Sequence, residues 1–446
     1  MRRTTNWMVV AAALCAAAPV QGQVTDRALA VAEQGRDKAP NSAEAQRRVG
    51  IAYYKAARYD DARTALSRAT SLDPRDGLAA LYLGLTAEAV NDLGAARRAY
   101  TSYLATGKTR KTRTLVQDRL AAVERLELQA AAKAAVAREQ ELGNTVGPKT
   151  TIAVMPLRFV GADTTLRPLE RGMVDLMVTD FAKVKALTVL ERERVQVLMD
   201  EIKLSESGRV EAASAVRSGR LLTAGSVVQG AITQTGSDRL QVAASVVSVA
   251  TSEATGTANA ENSLERLFDL EKEIVLGVIE RLGITLSPAE REAIQQRPTR
   301  SVQAFLAYSR GLVASDAGRL DEARNFFDNA RALDPGFGAA AAAAQSARST
   351  QVGATVTTPT IEASLAGGSE GKTVEAATTG AVVINSDLLG STLQQALADV
   401  NPSGADLIGV QTGTSTRDAS TQTTGVDQPS TRAGTVTIII RRPGGL

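Results

Sequence analysis

The stretch RRVGIAYYKAARYDDARTALSRATSLDP at residues 47–74 is answered by LYLGLTAEAVNDLGAARRAY at 81–100. Pro40 and Pro74, Gly50 and Gly84, and Ala62 and Ala96 each stand 34 residues apart. A fixed period of this length marks stacked supersecondary units. Val49, Gly50, Tyr53, Ala62, Leu66, Ala69 and Pro74 fill the key positions of the first unit, and Leu83, Gly84, Ala87, Ala96, Tyr100 and Tyr103 those of the second. Small residues at Gly50/Gly84 and Ala62/Ala96 let two antiparallel helices approach closely, while Tyr53 and Leu66 fill the space between them. Ala39-Pro40 and Asp73-Pro74 stop the helices, because proline lacks an amide donor and disfavours helix in the residue before it.

The period and its signature residues resemble the tetratricopeptide repeat. Residues 23–107 are assigned to such repeats, with 24–39 as a leading half repeat. Gly311, Ala323, Phe327, Ala330 and Pro335 restore the same internal spacing, which predicts a further repeat at 300–347. A lone repeat cannot bury its own face, so it should dock on the first array or on the domain between them. Thr114 to Leu142 has no glycine or proline and reads as a solvated linker helix within 108–147, with Leu115, Leu120, Val123, Leu126 and Ala130 roughly on one face.

From Thr151 the pattern changes to strands alternating with helices, then a three-stranded meander over Ser226–Gln234, Arg239–Val249 and Glu253–Asn262. Such an order predicts a mixed α/β domain over 148–286, with helices packed on a sheet. Three stretches carry a further resemblance: TIAVMPLRF at 151–159, LTVLERERVQVLMDEIKL at 187–204, and LLTAGSVVQGAITQTGSDRLQVAASVVSVATSEATG at 221–256. They resemble the CsgG family of curli production assembly/transport components and the related TolB N-terminal-like domains. The fold class is therefore α+β multidomain: tetratricopeptide helical repeats, a mixed α/β CsgG-like domain and a low-complexity C-terminal tail.

Channel members of that family carry two long membrane-inserting hairpins. Here the corresponding connections, Phe159–Arg167 and Thr235–Asp238, are too short, since a membrane strand needs about 9–11 residues. The resemblance thus implies a relative without the barrel. Glu191 and Arg192 stand where a strand meets a helix and are interface candidates, against the plainer reading of charged helix capping. From the repeat resemblance, ligands are expected along the first helix of each unit: Glu44, Arg47, Arg48, Ile51, Tyr54 and Lys55, then Leu78, Leu81, Tyr82, Leu85 and Glu88. The basic members suit an acidic or carboxylate-ended peptide, though Leu81 and Leu85 can equally pack the next helix.

The remaining signals are mostly exclusions. Of 446 residues, 44% are apolar and 3% aromatic; there is no histidine, one cysteine and one tryptophan. Cys15 and Trp7 fall in a segment that reads as a signal peptide at 1–22: Arg2 and Arg3, an apolar stretch to Val20, then Val20-Gln21-Gly22. The chain without it lacks the residues of Ser/His or Cys/His catalysis and of tetrahedral zinc sites. Neither enzyme activity nor a metal or cofactor is expected, and no P-loop occurs. With 51 basic and 48 acidic residues the net charge is only +3, and the basic cluster Lys108, Arg110, Lys111 and Arg113 lacks interleaved aromatics, so no nucleic-acid partner is expected.

Residues 350–446, poor in large apolar side chains, read as a low-complexity tail, with disorder over 350–380 and 410–433. Ala381–Val400 and the β-rich TVTIIIRR at 435–442 form ordered islands, the latter pairing with a sheet in this chain or a partner. The functional expectation is a non-enzymatic exported assembly or secretion scaffold, periplasmic and peripheral to the outer membrane. It would bind envelope or secreted proteins through its repeats and self-associate. The alternatives are a periplasmic TolB-like sensor or ligand-binding module and, ranked last, an oligomeric secretion pore.

Overall fold

The computed structural model describes residues 19–142, 145–202, 212–366 and 368–379. Most of the expected signal segment, the two islands and the 410–433 stretch lie outside them. A leading helix α1 (Pro19–Lys38) is followed by two helical hairpins, α2 (Ala43–Lys55) with α3 (Tyr59–Leu72), and α4 (Gly77–Ala89) with α5 (Leu93–Thr106). The long α6 (Arg110–Ala137) and the short α7 (Glu139–Leu142) lead into the sheet.

Each hairpin packs through the same small-on-large contact. A Cβ on Gly50 would meet the Leu66 side chain at 2.6 Å, and one on Gly84 would meet the Tyr100 ring at 2.5 Å. Ser42 and Asp76 cap α2 and α4 by accepting the amides of Ala45 and Ala79. Asp73, extended before Pro74, ends α3.

The sheet is built from β1 (Thr151–Val154), β2 (Arg158–Val160), β3 (Thr188–Val189), β4 (Ser226–Gln234), β5 (Arg239–Ser248) and β6 (Ala254–Ser263), in the order β3-β1-β4-β5-β6. β3, β1 and β4 run parallel, and β4, β5 and β6 form the antiparallel meander. β1 and β2 pair with successive halves of β4, broken at Met155-Pro156-Leu157, where proline cannot donate to the ladder. β2 is absent from the sequence reading because three residues carry too little periodicity.

Alternation along β1 sends Ile152 and Val154 to one face of the sheet and Ala153 and Met155 to the other. The first face is covered by α8 (Leu169–Phe181) and, beyond the meander, by α11 (Leu267–Arg281). The second is covered by α9 (Arg192–Glu201), α10 (Ala212–Leu221) and Ala132 of α6.

After α12 (Pro288–Gln295), the further hairpin α13 (Val302–Asp316) and α14 (Leu320–Leu333) repeats the earlier geometry, since a Cβ on Gly311 would collide with the Phe327 ring. It docks on the sheet side. A Cβ on Gly172 of α8 would stand 2.0 Å from Ser309 Oγ of α13, so glycine there permits the close crossing. Phe305, Tyr308 and Phe327 join the apolar core of the sheet's first face.

Two expectations are corrected. Most described residues of 350–379 are helical: α15 (Gly338–Thr355), α16 (Thr358–Ser364) and α17 (Ser369–Thr379) follow one another. The stretch is rich in Thr and Gly and has modest helix propensity, but Ile361, Leu365 and Ala377 pack on a preformed surface, and tertiary packing supplies most helical stability. α6 is likewise no solvated linker. Thr112, Val116, Ala122, Val123 and Ala132 are buried, and α5, α9 and α15 pack on it, whereas Leu126 and Ala130 of the expected stripe are exposed.

Candidate functional site

The first-helix face of the array, presented by α2, α4 and the start of α6, is covered. Ile51, Leu81, Tyr82 and Leu85 are wholly buried and Leu78 nearly so. Their cover includes the chain's own segment 356–379, whose Val356, Ile361, Leu365 and Ala377 belong to the same apolar cluster as the array, with Val374 packed against it. α17 lies against α1 and α2, and α16 against α6.

Two carboxylates pin this segment. Glu362 of α16 forms an ion pair with Lys55, beside the Tyr54 and Tyr82 rings, which meet edge to face at 5.4 Å. Burial, then the nearby Glu362, pushes the Tyr54 hydroxyl up to about 12 and Tyr82 well above its usual value. Glu370 of α17 accepts the backbone amides of Lys108 at 3.2 Å and Thr109 at 3.0 Å, and the Thr109 hydroxyl. These groups stand at the N-terminus of the 28-residue α6, where unpaired amides and the helix dipole favour an anion. Between the two acids, Ser364 Oγ donates to Thr112 Oγ1 at 2.7 Å.

The candidates named from the repeat pattern divide by environment. Lys55, Tyr54 and Tyr82 meet the internal segment directly. Arg47 instead reaches Asp76, the cap of α4, at 2.7 Å and ties the two repeats together. Glu88 accepts Tyr100 Oη at 2.7 Å and Arg119 Nε at 2.9 Å, while Arg119 also donates to the Gly353 carbonyl at 3.0 Å. Glu88 therefore sits in a clamp joining α4, α5, α6 and α15. Glu44 is exposed and Arg48 half-buried.

The groups that sequence reasoning missed are Glu362, Glu370, Thr112 and the Lys108 and Thr109 amides. A local signal for α16 was present. Thr357 caps it, Pro359 stands in its first turn, and Ile361 and Leu365 share a face at i, i+4.

Glu191 is exposed at the start of α9. Arg192 points inward with a side chain only 4% exposed. Its Nη1 reaches both Asp316 oxygens at 2.9 Å, its Nη2 reaches Glu193 at 3.1 Å, and its Nε lies 3.4 Å from Asp175. Asp316 also accepts from Arg171 at 3.2 Å, and Asp175 from the Tyr308 hydroxyl at 2.8 Å. Arg192 is thus the polar centre of the joint between the sheet domain and the α13–α14 repeat within one chain. Burial raises the Asp175 carboxyl, opposed by Arg192.

β1 through most of β6, with the helices between them, falls in residues 148–261, which match the model of the family described as Curli production assembly/transport component CsgG. The chain carries a CsgG-family domain. Residues 43–76, which hold α2 and α3, match the tetratricopeptide repeat model. No curated protein matches the chain. Neither the CsgG nor the repeat family is enzymatic, and the CsgG family is linked to the envelope and outer membrane. Among the described residues no group of acidic, cysteine or histidine side chains is arranged to hold a metal ion, and no helix is long and apolar enough to cross a membrane.

Proposed function

We propose that this protein is a non-catalytic envelope scaffold, exported by residues 1–22, whose repeats recruit a protein partner to an assembly or secretion site organised by the CsgG-type domain. The observation that carries the reading is the array's first-helix face. It holds a helical polypeptide segment through apolar anchors and paired carboxylates, so its surface chemistry is that of a protein-binding groove.

Peripheral membrane association and self-assembly through the CsgG-type domain belong to the same reading. A pore is disfavoured by the Thr235–Asp238 turn between β4 and β5 and by the short link from β2 to α8, neither of which can span a bilayer. Crosslinking in intact cells, followed by fractionation, tests the scaffold. The wild-type chain should be recovered in the periplasm or at the outer membrane with a partner that is lost in Lys55→Glu. An unchanged partner set, or retention in the cytoplasm, would contradict it.

A further inference from the structure

One acid of the internal segment pairs with Lys55 of the array and the other with the N-terminus of α6, and the segment is joined to the fold by a narrow link. α15 ends at Thr355 and α16 begins at Thr358, so only Val356 and Thr357 connect them, both in extended conformation. α15 itself is fixed: a Cβ on Gly353 would meet the Asp118 carbonyl at 1.8 Å, which marks tight packing on α6. Beyond the link, attachment rests on a few buried apolar side chains, the buried Ser364–Thr112 and Glu370 contacts, and one ion pair that water reaches. The side chains of the Lys55–Glu362 pair are 31% and 18% exposed.

The fit is also incomplete. A cavity of about 230 Å³, lined by Arg47, Asp73, Arg75, Asp76 and Lys108 on the array side, remains beside Glu370.

We infer that residues 357–379 are an internal competitor for the array groove, and that the partner which displaces them is an acidic helical peptide segment of the same design. That design is one carboxylate for Lys55, Ile/Leu-type anchors at i, i+4 for the apolar floor, and a second carboxylate for the amides of Lys108 and Thr109. The inference rests on the scaffold reading and names the chemistry of its ligand. A tethered occupant works at high effective concentration, so a free peptide binds with an affinity lowered by the fraction of grooves that are closed. Weakening the tethered copy must therefore strengthen binding of the free one.

The test uses the full chain and a fluorescein-labelled synthetic peptide spanning residues 357–379, read by anisotropy. The Glu362→Gln/Glu370→Gln chain should bind this peptide at least tenfold more tightly than the wild-type chain, and a peptide carrying both Gln substitutions should bind neither. Equal or weaker binding by the variant, or binding indifferent to the peptide's glutamates, would overturn the inference.

Hydrogen exchange on the wild-type chain supplies a readout that does not depend on the variant folding. Excess unlabelled peptide should accelerate exchange in the chain's own 358–379 while α2 and α4 stay protected; unchanged exchange there would overturn it equally. Failure of both with a Lys55-dependent envelope partner still recovered would refute the competitor alone. Displacement by the peptide with no such partner would refute the scaffold alone.

Discussion

The chain uses one helical hairpin in two ways. The α2–α3 and α4–α5 repeats and the α13–α14 repeat share the glycine-on-large-residue contact and the same turn, yet their inner faces meet different covers. α13 is sealed by aromatics: Phe305 lies 5.5 Å from Phe268 in a T-shaped pair, and Tyr308 stands 5.3 Å from Phe327 and 5.0 Å from Phe337. Its one large polar joint centres on the buried Arg192, which forms ion pairs with Asp175, Glu193 and Asp316. The α2/α4 face is covered instead by a short segment with aliphatic anchors, no aromatic residue, and two carboxylates. The same motif is a permanent core element in one place and a coverable groove in the other, and what decides is the chemistry of the cover.

Substitutions should separate the two covers. The largest effect is expected for Phe305→Ala, which removes a wholly buried ring and should cost about 3–5 kcal/mol in urea denaturation, with the sheet and the α13–α14 repeat lost together. Arg192→Ala should cost about 3 kcal/mol, because it leaves Asp175 without its cation and Asp316 with Arg171 alone. Leu365→Ala should cost about 2 kcal/mol, but as local release: hydrogen exchange should rise in 358–379 while the unfolding midpoint of the sheet side stays put. If Leu365→Ala instead lowers that midpoint as Phe305→Ala does, the two covers are equivalent.

The sheet side also keeps charge dry. Glu271 is wholly buried beside Lys272 at 3.0 Å, and Lys272 reaches Asp180. Burial raises the Glu271 carboxyl despite the lysine. An acid raised in the fold contributes stability below its unfolded range and loses it as pH climbs through the folded value. Glu271→Gln should therefore gain stability relative to wild type as pH rises from mildly acidic to mildly alkaline, with little difference below the ordinary glutamate range. A constant difference across that span in pH-dependent denaturation would count against this.

The smallest effect lies in the shared turn. Ala57 and Asn91 adopt φ of 56° and 58° where the α13–α14 repeat has Gly318 at 75°. Left-handed backbone strains an L-residue, so Ala57→Gly should stabilise the array by about 0.5–1 kcal/mol after glycine's own entropic cost. Thermal unfolding would show no gain if this turn carries no strain.

Much of the architecture was legible because it rests on local pattern. Gly50 with Leu66 and Gly311 with Phe327 are separated by one hairpin each, and the meander strands alternate strongly enough to be bounded within about a residue. The candidate site was legible only on one side. Tyr54, Lys55 and Tyr82 follow from the repeat period, but their counterpart lies roughly 300 residues later in a segment judged by what it lacks. A scarcity of large side chains rules out an independent core; it does not rule out docking on someone else's, as Ile361 and Leu365 do. Arg192 illustrates the same limit, since nothing near it in sequence announces Asp316.

The central claim, that the groove's cover opens while the α13–α14 hairpin stays shut, is most directly tested by native-state hydrogen exchange on the full chain across low urea concentrations. Amides of 358–379 should exchange through an opening well below the global unfolding free energy and nearly independent of urea, while those of α13 and α14 follow global unfolding. If both sets share the global free energy and urea dependence, residues 357–379 are a fixed part of the core and the distinction between the two regions fails.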